Sequence, residues 1–125
     1  MKFVQYLLAS ALFILPVLTA AAPGGKHDLT PRHGGMVVEA GHLDVELVAK
    51  AAQIKVYLRD HDKPVKLDGA SGKLTLLDGG GKTEVPLQAA GDALEATATL
   101  KAGAKAVVLI MLPGKAPFTA RFTLR

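Results

Sequence analysis

The sequence predicts an all-β protein: an antiparallel β-sandwich of immunoglobulin-like type with about eight short strands. Three observations lead there. Apolar and polar residues alternate with period two along most of the chain after residue 35. Turn-forming Gly, Pro and Asp residues recur between these runs at roughly the 8–12-residue spacing of β-sandwiches. No helix-period segment follows the apolar N-terminus. A small closed barrel is the competing architecture.

The elements follow in order. Met36 to Ala40 is a short strand. From Leu43 to Ala49, Leu43, Val45 and Leu47 face inward, with His42, Asp44 and Glu46 on the other side. Gln53 to Arg59 repeats the pattern with Ile54, Val56 and Leu58 inward. Asp60 to Pro64 is a turn. Lys73 to Leu77 and Thr83 to Leu87 are joined by the glycine-rich loop Asp78 to Lys82, and Pro86 marks the second as an edge strand. Leu94 to Leu100 alternates again. Ala106 to Leu112 is continuously apolar and reads as a strand buried on both faces. Pro113-Gly114 turns the chain into a closing strand, Phe118 to Leu124.

The N-terminus has a different character. Lys2, the apolar run Phe3 to Leu18 and the small residues Thr19 to Ala22 make residues 1–21 a secretory signal peptide. Residues 22–32 read as a flexible leader and residues 33–125 as the β domain. The apolar run is short for a bilayer span of about 20 residues, so no membrane insertion is expected once the signal is cleaved. There are no cysteines. Disulfides, thiolate metal sites and a lipid anchor at the cleavage site are thereby excluded. The expected location is a bacterial periplasm.

The formal net charge is +4, and Lys2 contributes one of those charges. Lysines and acids are interspersed, with no basic cluster carrying aromatics, so nucleic acid is not an expected partner. Ser71 is the one serine beyond the signal, and no histidine is patterned beside it. An enzyme with a nucleophilic triad is therefore not expected.

The histidines carry the functional reading. Pairing the two clean strands through a turn at Lys50-Ala51 sets Leu43 against Leu58, Asp44 against Tyr57 and Glu46 against Lys55. His61 then lies diagonal to His42 at one end of the hairpin. Two imidazoles with help from Asp44, Asp60 or Asp62 suit Zn²⁺, Cu²⁺ or Ni²⁺. A tight turn at Ala40-Gly41 would place His33 near Glu46 and Val48, roughly 20 Å from His42 at strand rise. His33 with Glu46 is a separate candidate pair. His27, in the leader, is not assigned a role.

The stretches "HGGMVVEAGHLDVELV", "VYLRDHDKPV" and "LPGKAPFTARFTL" resemble a small periplasmic β domain associated with heavy-metal efflux. That domain occurs alone or joined to the periplasmic adaptor subunits of RND-type metal exporters. The resemblance spans residues 33 to 124, and its polar landmarks fall on His33-Gly34-Gly35, Glu46 and Asp60-His61-Asp62-Lys63-Pro64. Asp44 stands where a second histidine before the glutamate is often seen. The resemblance implies a divalent-metal-binding accessory protein that buffers copper or zinc or delivers it to an RND-type adaptor or transporter. The candidate ligands are His33, His42, His61, Asp44, Glu46, Asp60 and Asp62. The alternative is a protein-interaction module that docks a transporter or adaptor subunit without metal.

Overall fold

A computed structural model describes residues 28–125. The expected signal peptide and residues 22–27 of the expected leader, with His27, therefore lie outside the described residues.

Alternation becomes strand as expected, because side chains of period two bury one face and leave the other to solvent or cover. Nine strands form among the described residues: β1 (Met36–Ala40), β2 (Leu43–Lys50), β3 (Gln53–Asp60), β4 (Lys63–Pro64), β5 (Ser71–Asp78), β6 (Gly81–Ala90), β7 (Ala93–Thr97), β8 (Lys105–Met111) and β9 (Phe118–Thr123). All ladders are antiparallel, and the described residues contain no helix. The all-β antiparallel class stands. The strands belong to one sheet in the order β1-β2-β3-β7-β6-β5-β8-β9, with β4 added to β3. This sheet is barrel-like and nearly closed. At its two ends, Phe118 of β9 lies over Gly41, where a Cβ would come within 2.7 Å of the ring.

One core fills the interior. Val45, Ile54, Val56, Leu74, Leu94, Val108 and Ile110 are fully buried at its centre, and Phe122 and Leu124 close one side.

Three details differ from the sequence reading. The β2–β3 hairpin turns at Ala51-Ala52, where Ala51 takes a positive φ, so the register moves by two residues. Asp44 faces Arg59 and Glu46 faces Tyr57, while Lys55 instead pairs with Glu95 of β7 at 3.6 Å. A two-step shift keeps every residue on its expected face. Lys63–Pro64, expected as turn, pairs with β3 after the tight turn His61-Asp62.

β7 pairs with β6 only over Gln88–Ala90; over residues 81–87, β6 pairs with β5 alone. Pro86 thus stands on a free edge, where its missing N–H costs no bond. β8 is buried on one face only: Ala106, Val108 and Ile110 point inward, whereas Val107 and Leu109 are half-buried and Met111 is exposed. A continuous apolar run does not distinguish a doubly buried strand from one with an apolar outer face.

Candidate functional site: a strap locked onto the first hairpin

The outer face of β2 reads polar in sequence but is buried. Asp44 and Glu46 are 2% and 1% exposed, and Arg59 on β3 is 6% exposed. The cover is the chain's own segment from Asp28 to Gly35, a strap across β2 and β3. Such a strap needs close backbone approach, which Gly35 permits. A Cβ there would lie 2.3 Å from the carbonyl oxygen of Leu47. Gly35 therefore serves close contact with β2.

Glu46 is the centre of the lock. Its Oε1 accepts the Arg32 N–H at 3.1 Å and faces Nδ1 of His33 at 3.1 Å. Its Oε2 accepts the N–H groups of His33 and Gly35, each at 2.9 Å. Burial pushes this carboxyl up. The bonds from Gly35, the His33 ring, His33 N–H and Arg32 N–H together outweigh burial and hold it below the usual glutamate range. Glu46 is thus an ionised acceptor, and a neutral His33 must carry its proton on Nδ1. That leaves the lone pair on Nε2, the tautomer that a carboxylate-backed metal-ligating histidine uses. The His33 ring stacks on Tyr57, with centroids 3.6 Å apart and planes within 4°.

Arg59 fastens the other end of the strap. Its Nη2 donates to the carbonyls of Asp28 at 3.3 Å and Thr30 at 3.1 Å. Its Nε and Nη1 are buried without a hydrogen-bond partner. Asp44, directly opposite on β2, puts a negative charge on the same face. Outside the lock, Arg32 bridges Asp62 at 2.9 Å and Asp28 at 3.3 Å. These exposed pairs add little. Bonds from the Thr30 hydroxyl and N–H hold the Asp28 carboxyl below its ordinary value. A cleft of about 480 Å³ opens between Arg32, His33, Tyr57, Asp62 and Pro64. A second cleft, of about 230 Å³, is lined by His33 and Tyr57 together with Val48, Lys50 and Lys55.

The seven expected ligands fall into separate groups. His33 and Glu46 meet, as the tight-turn reading anticipated. Asp60 Oδ1 lies 3.7 Å from Nε2 of His61. Asp62 holds Arg32, and Asp44 is buried opposite Arg59. His42 and His61 occupy positive-φ corners of the two turns that leave the same end of β2 and β3. His33 engages Glu46, four residues from His42, so the separation along the strand is roughly 13 Å rather than 20 Å. Among the described residues no group of three or more His, Cys, Asp or Glu could hold a metal ion. Arg32, Tyr57 and Arg59 were not singled out from sequence, although Arg59 on an otherwise alternating strand beside Asp44 was the available signal.

The fold and this lock define a small β domain with a self-covered polar face. Comparison with protein-family models, curated proteins and solved structures returns no match.

Proposed function

We propose that the protein is an exported, non-enzymatic accessory protein that takes Cu²⁺ or Zn²⁺ as cargo at the open end of the β2–β3 hairpin. One observation carries this reading. The turns that carry His42 and His61 leave the same end of the β2–β3 ladder, whose last pair is Asp44 with Arg59. The two histidines therefore stand on adjacent turns, and two imidazoles on neighbouring turns can serve as ligands of one ion. Both histidines hold positive φ, at 65° and 48°. Asp60 lies beside His61, with its Oδ1 3.7 Å from Nε2, while Asp62 holds Arg32. His33, with Nδ1 engaged by Glu46, is a further single-ligand position. In this reading the resemblance to the efflux-associated domain gives the destination, an RND-type adaptor or transporter in the periplasm.

The test is a calorimetric titration of the purified protein with Cu²⁺ and then Zn²⁺, beside His42→Asn/His61→Asn, which preserves the turn backbone. Binding of one equivalent that disappears in the variant is expected. No saturable binding at micromolar metal rejects the reading.

A second reading is a docking module without metal. It is favoured by residues 81–87 of β6, which pair with β5 but lie outside the β7 ladder. An exposed strand edge of this kind can accept a partner strand. Partner capture retained after replacement of all four histidines would support it.

The immunoglobulin-like sandwich is the finer reading of the fold. The β6–β7 ladder has three residue pairs, and there the sheet would bend into two layers, β1-β2-β3-β7 and β6-β5-β8-β9.

A further inference from the structure

Among the described residues, no segment covers the outer face of β5, β8 and β9 as the strap covers β2 and β3. Register places three rows there: Lys73, Leu109 and Thr119; Thr75, Val107 and Arg121; Leu77, Lys105 and Thr123. β6 extends the rows with Lys82, Glu84 and Pro86. An apolar stripe runs the length of this face. Met111 stands at one end, 38% exposed, and Leu77 at the other, 40% exposed, with the half-buried Leu109 and Val107 between them.

Charge on the face is one-sided. Lys73, Lys82, Lys105 and Arg121 stand against the single carboxylate of Glu84, which is shared by Lys82 at 3.0 Å and Lys73 at 3.7 Å. Three positive charges are in excess. A second copy of the same face would meet like charge. The face also lacks any aromatic side chain, the usual anchor of a protein interface. Long lysine and arginine stems around an aliphatic stripe suit a fluid anionic surface, with heads at phosphate level and stems against the apolar boundary.

We infer that the outer face of β5, β8 and β9 is a peripheral docking surface for anionic phospholipid bilayers. The chain would lie on the bilayer through this face without inserting. The strap and the turn histidines belong to the other run of strands. Each cation at such a surface strengthens binding roughly fivefold, and salt weakens it.

The test is co-sedimentation of the protein, expressed from the full chain, with vesicles of phosphatidylcholine alone or with about one-third phosphatidylglycerol. Binding to the anionic vesicles alone is expected, with loss as salt rises to about 0.5 M. Lys105→Glu/Arg121→Glu should lower it at least about tenfold. Lys63→Glu/Lys66→Glu, an equal charge change away from the face, should lower it much less. Circular dichroism checks that both variants fold. Equal binding to both vesicle types, equal loss in both variants, or no binding overturns the inference. Retention on immobilised polyglutamate without vesicle binding would also overturn it, assigning the face to an acidic protein.

Discussion

The two outer faces of this sheet solve the same problem in opposite ways. Over β2 and β3, charged residues are buried and the chain supplies their partners from its own strap. Over β5, β8 and β9, aliphatic residues are half-exposed and cations ring them. Both faces alternate with period two, so alternation alone does not say which outer face is covered. The cover is set by hydrogen-bond demand. Glu46 collects backbone donors that have no ladder partner, whereas Val107 and Leu109 make no such demand.

The largest effect is expected where that demand is removed. Glu46→Ala leaves the N–H groups of Arg32, His33 and Gly35 without their acceptor and should cost about 3 kcal/mol or more, read by urea unfolding. If it costs under about 1 kcal/mol, the strap is not a structural part of the domain. Gly35→Ala should approach the same loss, because the added Cβ would meet the Leu47 carbonyl.

Acid should expose the same dependence. The folded carboxyl of Glu46 lies below its unfolded value of 4.5, so its contribution is complete above that pH and is lost as pH falls through the folded value. Stability of the parent should therefore decline below about pH 4.5 more steeply than that of Glu46→Gln, measured by denaturant midpoints across the acid range.

His33→Ala removes the Tyr57 stack and one bond to Glu46, and should cost about 1–2 kcal/mol. The smallest effect belongs to the bare face. Leu109→Thr, half-exposed on a strand that favours β-branched residues, should change stability by less than about 1 kcal/mol. A larger loss there would mean that the bare face is packed against something in solution.

Much of this fold was legible in sequence because strands are local. Leu43, Val45 and Leu47 and then Ile54, Val56 and Leu58 declare their inward face from spacing alone, and all six are buried. The hairpin register was less legible. Lys50-Ala51 and Ala51-Ala52 are similar turn sequences, and the structure uses the second, with Ala51 at positive φ. The β8 outer face was misread because Val107 and Leu109 are apolar whether buried or not. The strap was the least legible feature. Glu46 sits on the polar side of its strand, and its burial depends on residues 32 to 35, more than ten positions away. His33 beside Glu46 did follow from a tight turn between the first two strands, expected at Ala40-Gly41 and found one residue on at Gly41-His42. The stack on Tyr57 did not, because it needed the true register.

The Glu46 lock has a consequence for amide exchange with solvent. Arg32, His33 and Gly35 precede the first strand, yet their N–H protons end on a buried carboxylate. In deuterated buffer they should exchange as slowly as amides of the β2–β3 ladder, while the neighbouring Gly34 amide exchanges early. Protection in a stretch without regular structure would then report the opening of the strap, separately from the unfolding of the sheet.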